Sequence, residues 1–331
     1  MTQARMSLPR STSMLTRSTV MGLYLLAPGK TVNQILEYCL VWAAQRRGIR
    51  IHAFSAQSNH YHLVVTDPAG LLSEFMQDFN RGVACCLLAY YRKRFPERRM
   101  DAVWSPAQSF SQQFLVNAAG IRDKIAYSVT NPVKDGMVSQ YQQWPGLRLC
   151  PDDWGTGTRT VRRPPYYFKH TPEELTYEVV PPTQLDGPLE QVVADANHVI
   201  DEHEARARAT LAAKGRRFAG LRRIKATDPF DAPRGQRPRG NLNPTVAAGG
   251  DARAFANAVR AVKRFRSAYR EAWRRFNATV KRFCATYREA SQRMNASLEH
   301  LFPGGTLLMH RRYGCARAPL DARWCHLATP S

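Results

Sequence analysis

Hydrophobic and polar positions in the first 134 residues switch between helical and strand periodicity. Apolar residues recur every three or four positions over 31–47, 71–94 and 118–130. This spacing predicts three helices, the first capped by Thr31 and the third ended by Asn131-Pro132. Runs with period-two alternation or β-branched residues predict strands at 13–19, 49–56, 58–65 and 104–113. The order β-α-β-β-α-β-α predicts an α+β fold, a ferredoxin-like antiparallel sheet with helices on one face.

The third predicted strand contains two histidines, His60 and His62. Because alternate residues of a strand point to the same face, the two imidazoles are expected side by side, with Tyr61 directed into a core. Two neutral imidazoles at this spacing can hold one divalent metal ion. The pair is also consistent with two surface histidines or with hydrogen-bonded core histidines, so the rest of the chain must decide.

The third predicted helix contains Tyr127 and Asn131, which are four residues apart and therefore share one side. Tyr127 supplies a phenol that can attack a phosphorus atom. Asn131 supplies a carbonyl oxygen that can bind a hard cation. Taken alone, Tyr127 fits an ordinary core tyrosine, and Asn131 fits an ordinary helix end before a proline.

Charge is the strongest global feature of the chain. The 331 residues have a net charge of +22, and both halves are basic, with 17 Lys and Arg against 8 Asp and Glu in residues 1–150. A positive field of this size attracts polyanions, nucleic acid first and acidic membrane surfaces second; a merely soluble basic protein is the alternative. The seven cysteines include no C-x-x-C pair, so the sequence indicates neither a zinc ribbon nor a disulfide framework, which suits a reducing cytoplasm. No apolar run approaches the ~20 residues of a membrane span.

Two motifs taken together resemble those of a known family. They are Asn59-His60-Tyr61-His62 on the strand, and the helix end from Tyr127 through Asn131-Pro132-Val133 to Gly136-Met137-Val138. They resemble the single-tyrosine HUH transposases and, more specifically, the REP-associated tyrosine transposases. Trp144-Pro145-Gly146 is similar to the family's tryptophan-containing continuation. The resemblance covers residues 8–150 and departs at Gln57-Ser58, where Met-Pro is usual, a change that affects the turn more than the ligands.

The resemblance implies a DNA transposase that cuts and rejoins single-stranded DNA, often folded as a hairpin. His60 and His62 would hold Mg²⁺ or Mn²⁺, with Asn131 as third ligand or close partner, and Tyr127 would form a 5′-phosphotyrosine. Lys124 is a candidate to help the phenol lose its proton, or else a solvated helix lysine. The covalent link conserves phosphoester energy, so no nucleotide cofactor is expected. One tyrosine per chain implies a homodimer or two sequential cuts, in a cytoplasmic protein associated with the nucleoid.

The second half of the chain has no recognisable fingerprint. We expect a catalytic domain over 8–150, a linker or arm over 151–187 that alternatively straps across that domain, and a basic, mainly helical extension over 188–331. Residues 252–294 predict a long helix with an apolar stripe, either packed on its own domain or forming a coiled-coil dimer seam, and 307–313 predict a short strand. The candidate DNA contacts are basic or aromatic residues: Arg17, Arg81, Tyr166, Tyr167, Arg216, Arg217, Arg222 and Arg223.

Two other functions fit the same residues. The first is a domesticated DNA-binding protein without catalytic activity on the same fold. The second is a metal-dependent phosphodiesterase that uses His60 and His62 but not Tyr127. A covalent adduct between the protein and DNA distinguishes the three hypotheses.

Overall fold

The computed structural model describes residues 6–106, 110–233 and 245–301, with side chains as far as residue 293. In chain order its strands and helices are β1 (Ser11–Ser18), α1 (Lys30–Arg47), β2 (Arg50–Ala56), β3 (His60–Asp67), α2 (Leu72–Arg94), β4 (Ser111–Leu115), α3 (Ala118–Lys134), β5 (Arg148–Leu149), β6 (Arg159–Arg162), β7 (Glu174–Tyr177), α4 (Leu189–Ala213), α5 (Gly220–Lys225), β8 (Val246–Ala247) and α6 (Ala252–Leu301).

The main sheet has six strands in the order β5-β2-β3-β1-β4-β8. All neighbours are antiparallel except β4 and β8, which run parallel. The inner order β2-β3-β1-β4 is that of a ferredoxin-like sheet, because the first crossover leaves a gap that β3 fills and the second carries β4 to the other side of β1. The predicted α+β class and the predicted order of the first seven elements are confirmed.

One face of this sheet is covered by α1 and α2. Tyr61 of β3 lies in this layer, fully buried, with its ring centroid 5.3 Å from that of Phe79 on α2. The Tyr61 hydroxyl donates to Oδ1 of Asn80 at 2.8 Å, so the buried phenol is satisfied. α1 ends at Gly48 in the left-handed conformation, φ 66°, which glycine adopts without a Cβ clash. This layer fixes β3, and therefore which of its residues face the opposite side.

The opposite face of the sheet is covered by α3, and α4 packs along α3. Arg122 of α3 pairs with Asp195 of α4 at 3.1 Å, and Asp123 accepts from His203 at 3.1 Å. Glu204 of α4 is almost fully buried and accepts from the backbone N–H of Tyr141. A buried carboxylate needs such partners, since an unpaired charge there is costly. The helix that carries Tyr127 and Asn131 therefore lies between the sheet and α4.

Two predicted helix boundaries are wrong. α1 begins after Gly29, and no side chain caps it, so Thr31 is a helical residue rather than a cap. α3 does not end at Asn131-Pro132 but continues to Lys134. Proline removes one backbone donor, but the N–H of Asp135 still bonds to the carbonyl of Asn131 at 2.9 Å, so the helix closes one turn later. Asn131 is consequently held inside the helix.

Residues 151–187 strap across α1 and α2, which was one of the two alternatives. β6 and β7 form a two-stranded sheet, and Phe168 between them packs edge-on against Tyr38 and Trp42 of α1, with ring centroids 5.2 and 5.3 Å away. The Tyr38 hydroxyl donates to the carbonyl of Pro172 at 2.6 Å. The first compact unit continues well past residue 150 and ends at Phe265.

The second compact unit begins at Arg266 within α6. Its aromatic side chains are largely exposed to solvent, including Phe276, Phe283 and Tyr287. Among the described residues, no helix combines the length and apolar character needed to cross a bilayer. β4 is shorter than predicted, and the strand predicted at 307–313 lies outside the described residues.

Candidate active site

His60 and His62 lie side by side on the face of β3 that α3 covers. β1 pairs with β3 so that Ser18 is opposite His60 and Thr16 is opposite His62. The two imidazole centroids are 5.0 Å apart, with the rings nearly perpendicular at 86°. Both side chains are buried, with about one twentieth of their surface exposed (5% and 4%). The alternation of the strand therefore places both imidazoles in the same polar space between the sheet and α3.

Each imidazole is oriented through its Nδ1 atom. Nδ1 of His60 donates to Oδ1 of Asn59 at 2.8 Å, and that amide is itself fixed because its Nδ2 donates to the carbonyl of Gly22 at 3.2 Å. Nδ1 of His62 lies 2.8 Å from the hydroxyl of Thr16. A hydrogen at Nδ1 leaves the lone pair of the neutral ring at Nε2. Asn59 thus selects the tautomer of His60 in which Nε2 is the acceptor. The Thr16 hydroxyl can donate or accept, so it orients the His62 ring, and the Asn131 amide nitrogen beside Nε2 of His62 favours the same tautomer there.

Asn131 connects these two acceptors to α3. Its amide nitrogen lies 2.6 Å from Nε2 of His62 and 3.2 Å from Nε2 of His60. The amide is buried, at 4% exposure, and its backbone belongs to the helix interior. The two imidazole lone pairs therefore meet at one point, where the end of the Asn131 side chain lies.

The donor set of this point fits a divalent cation. Within 6–106, 110–233 and 245–301, no group of three or more His, Cys, Asp and Glu side chains could hold a metal. The protein ligands would be the two Nε2 atoms and Oδ1 of Asn131, once the side-chain amide turns so that its oxygen takes the place of its nitrogen. Mg²⁺ and Mn²⁺ accept such an incomplete protein set, because substrate phosphate oxygens and water supply the remaining positions. His60, His62 and Asn131 are the residues that would hold the ion.

Tyr127 lies one helical turn before Asn131, against the same imidazoles. Its ring centroid is 5.2 Å from that of His62, with the two planes at 74°. The tyrosine is half-buried, so it is reachable from solvent although it borders the histidines. The structure thus brings a phenol next to the point where the two Nε2 atoms converge. The spacing of Tyr127 and Asn131 predicted only that they share one side of the helix, and the motif resemblance implied their position beside the histidines.

Two lysines of α3 lie over the Tyr127 ring. Nζ of Lys134 is 4.5 Å from the ring centroid, and Nζ of Lys124 is 5.5 Å from it. Lys124 also pairs with Asp123 at 2.9 Å. The hydrogen bond from His203, followed by Lys124, holds the pKa of Asp123 well below its usual range, so this carboxylate stays charged and offsets the Lys124 ammonium. Lys134 is therefore the nearer of the two ammonium groups to the Tyr127 ring, while Asp123 offsets the charge of Lys124.

Arg17 does not belong to this site. It pairs with Tyr61 in the β1–β3 register and so lies on the opposite face of the sheet from His60. Its guanidinium is 5.3 Å from the centroid of Trp104, and burial lowers its pKa from the ordinary value. The structure gives Arg17 a packing environment under α1 and α2 rather than a position beside Tyr127.

The remaining candidate DNA contacts divide between the two faces. Arg81 lies on α2, and Tyr166 packs against Tyr90 of α2 with centroids 5.6 Å apart, so both are across the sheet from Tyr127. Tyr167 is exposed on the same strap. Arg216 donates to the carbonyl of Asp135 at 3.3 Å, at the end of α3. Arg217, Arg222 and Arg223 are exposed, the last two on α5.

Sequence reasoning missed Lys134, Thr16 and Asn59 as functional residues. Lys134 is seven residues after Tyr127, two helical turns along the same side, so its spacing could have identified it. Asn59 stands inside the quoted motif, directly before His60. Thr16 carries no local signal, because its role depends on the pairing of β1 with β3.

No protein-family model matches the chain. No curated protein matches it either. Among solved structures, a REP-associated tyrosine transposase bound to a REP hairpin is similar at 20% identity and TM-score 0.37, over 46% of this chain and 84% of that one. A protein assigned as a transposase from Deinococcus radiodurans is similar at 18% identity and TM-score 0.27, over 40% and 97%. The tRNA(His) guanylyltransferase of Saccharomyces cerevisiae is similar at 13% identity and TM-score 0.30, over 41% and 64%. All three TM-scores are below 0.5, so the function has to be argued from the site.

Proposed function

We propose that this protein is a DNA transposase that cuts and rejoins single-stranded DNA through Tyr127. The observation that carries the proposal is the convergence of Tyr127 on the two Nε2 atoms of His60 and His62, through a helix that also supplies Asn131. A structural tyrosine needs no such neighbours. The motif resemblance of residues 8–150 to single-tyrosine HUH transposases supports the same assignment.

In the proposed reaction Tyr127 is the nucleophile. Its phenolic oxygen forms a bond to the phosphorus atom while the bond from phosphorus to the 3′-oxygen breaks, leaving a 5′-phosphotyrosine and a free 3′-OH. The phenol proton passes to water, and the departing oxygen takes a proton, so no oxidation or reduction is involved. Because the phosphoester energy is conserved, a second 3′-OH can reverse the step and rejoin DNA.

The other residues prepare the phosphate and the phenol. A divalent ion bound by His60, His62 and Asn131 would act as a Lewis acid toward the phosphate. Asn59 and Thr16 orient the two imidazoles so that each presents Nε2 to this point. An ordinary phenol has a pKa near 10 and is mostly protonated at neutral pH. The Lys134 ammonium, 4.5 Å from the ring centroid, would stabilise the negative charge that develops on Tyr127 as its proton leaves.

The proposed substrate is hairpin-bearing single-stranded DNA. The net charge of +22 supports binding to a polyanion through phosphate contacts, which give affinity without sequence specificity. Lys134 and Arg216 place positive charge at the same end of α3. The preference for a hairpin is proposed from the motif resemblance.

A trapped covalent adduct tests the proposal. The purified protein is incubated with 5′-labelled and 3′-labelled hairpin oligonucleotides and Mn²⁺, denatured and resolved on a gel. The wild type is expected to carry the 3′ label, because the DNA segment downstream of the cut stays attached to Tyr127. Tyr127→Phe is expected to give neither adduct nor cleavage. Tyr90→Phe, at a half-buried tyrosine of α2 on the other side of the sheet, is the matched control and should behave like the wild type.

Three outcomes would contradict the proposal in different ways. Cleavage by Tyr127→Phe would favour a metal-dependent phosphodiesterase. Hairpin binding without cleavage of any substrate would favour a domesticated DNA-binding protein. Full activity in excess chelator, or in a variant with both His60→Ala and His62→Ala, would remove the metal role.

A further inference from the structure

The part of α6 that belongs to the second compact unit has a strict seven-residue pattern. Its apolar side chains recur with alternating steps of four and three, at Tyr269, Trp273, Phe276, Val280, Phe283 and Tyr287. Tyr269, Phe276 and Phe283 recur every seven residues, as do Trp273, Val280 and Tyr287. Two apolar positions in every seven residues form the heptad repeat of a left-handed coiled coil. We call these six residues the aromatic seam.

Most of the aromatic seam is exposed to water. Phe276 is 56% exposed, Phe283 is 70% exposed and Tyr287 is 65% exposed. Single exposed apolar side chains are common, but a continuous row of aromatic rings on one helix face marks an interaction surface. The rings already contact one another along the helix, since Trp273 and Phe276 lie 5.8 Å apart at 29°.

The same face of α6 is covered in the first compact unit. Val262, one heptad before Tyr269, is 5% exposed and packs with Met6, Phe114 and Val246. The apolar stripe of α6 is therefore buried where other residues of this chain pack against it. After Arg266 the apolar stripe continues, but its phenylalanines Phe276 and Phe283 are much more exposed than Val262.

Charge is distributed in a way that suits a second identical helix. The positions that flank the aromatic seam are Arg270, Ala272, Asn277, Thr279, Cys284, Thr286, Ser291 and Arg293, so the charged flanking positions are only those at its two ends. The remaining basic residues of this segment, Arg274, Arg275, Lys281, Arg282 and Arg288, lie on the opposite side of the helix. Basic residues at the flanking positions would repel an identical helix and would instead favour an acidic partner. The mostly uncharged flanking positions of α6 therefore suit a second copy of the same helix.

We propose that the aromatic seam pairs with the same seam of a second copy of this chain. Six side chains per copy, five of them aromatic, bury about 1,500 Å² in such a pair, within the range of stable interfaces. The basic side of each helix then stays in solvent, free to contact DNA phosphates. A dimer also carries two copies of Tyr127, although the seam and the proposed reaction are independent of each other.

Light scattering coupled to size exclusion tests this proposal on the full chain. At 1–50 μM the wild type is expected to have twice the 37.5 kDa mass of one chain. Phe276→Glu with Phe283→Glu puts charge into the seam and should raise the dimer dissociation constant at least 100-fold. Ala278→Glu with Ala285→Glu adds the same charge on the outer side of the same turns, and this control should remain dimeric.

Other occupants of the seam give different results. A wild type that is monomeric at 50 μM overturns the proposal. If removal of residues 302–331 converts a monomer to a dimer, the chain's own end covers the seam instead. A dimer that both double variants retain equally would place the interface elsewhere. Cleavage assays on the seam variants report separately on the proposed function, because the seam contains no residue of the Tyr127 site.

Discussion

The amide nitrogen of Asn131 lies 2.6 Å from Nε2 of His62, and this contact joins the third helix to the third strand. The same nitrogen is 3.2 Å from Nε2 of His60. One side chain thus keeps two imidazole lone pairs directed at a single point. The arrangement explains why Asn131 is buried inside α3 although asparagine is a poor helix former.

Replacing Asn131 should weaken both metal binding and folding. In Asn131→Ala the two buried Nε2 atoms lose their shared donor and the site loses its amide oxygen. We expect Mn²⁺ affinity, measured by isothermal titration, to fall about 10–100-fold, and the free energy of unfolding to fall by about 1–3 kcal/mol. Asn257→Ala, at an exposed position of α6, should change neither quantity. Unchanged Mn²⁺ affinity in Asn131→Ala would remove this residue from the ligand set.

The hydroxyl of Thr16 should matter more than its methyl group. Thr16→Val keeps the shape of the side chain but removes the partner of Nδ1 of His62, so the imidazole loses the contact that orients it. We expect adduct formation to slow about 10–100-fold in Thr16→Val and to recover in Thr16→Ser. Equal loss in both variants would indicate that Thr16 acts through strand packing rather than through its hydrogen bond.

Lys134 and Lys124 should contribute unequally to the Tyr127 step. Lys134 is the nearer cation to the ring, and Asp123 offsets the charge of Lys124. We expect the single-turnover rate of adduct formation at pH 7 to fall roughly tenfold or more in Lys134→Gln, as the loss of a nearby charge predicts. Lys124→Gln should change it by less than about threefold. The reverse ranking would restore Lys124 as the activating residue.

His52 should make folding sensitive to mild acid. It is fully buried on β2, where Nδ1 donates to the carbonyl of Val180 and Nε2 accepts from Thr66, and burial lowers the pKa of His52 to about 4. Because the unfolded chain takes up this proton near pH 6.5, the stabilisation is complete above pH 6.5 and is lost as the pH falls toward 4.

Urea unfolding at pH 7 and pH 4.5 measures this effect. The free energy of unfolding of the wild type should fall by roughly 2 kcal/mol more than that of His52→Gln over this interval. His198→Gln, an exposed histidine on α4, should show the wild-type dependence. Parallel curves for the wild type and His52→Gln would contradict the assignment.

Local periodicity was sufficient to predict the inner sheet and the two halves of the site. Period two placed His60 and His62 on one face, and helical spacing aligned Tyr127 with Asn131. Periodicity could not predict that the two histidines lie against Tyr127 and Asn131, because that depends on which face of the sheet α3 covers. The resemblance of the two motifs supplied that link, and the structure places the four side chains together.

The register between β1 and β3 explains why the sequence did not identify Thr16 and why it suggested Arg17 as a DNA contact. Arg17 and Thr16 are adjacent in sequence, yet the pairing of β1 with β3 sends Thr16 to His62 and Arg17 to Tyr61. A change of one position would exchange their roles, and no local pattern fixes it. Pro132 predicted a helix end because proline usually interrupts the hydrogen-bond ladder, whereas here the following backbone bonds complete one more turn.

The packing of α4 along α3 determines where an independently folding fragment of this protein can end. A fragment ending at residue 150 would retain every motif residue but would strip one side of the helix that carries the nucleophile, including the partners of Arg122 and Asp123. It would also remove β8 from the edge of the sheet. The compact unit that contains the site ends at Phe265, so we expect a fragment cut at residue 150 to lose activity through unfolding rather than through the loss of a catalytic group.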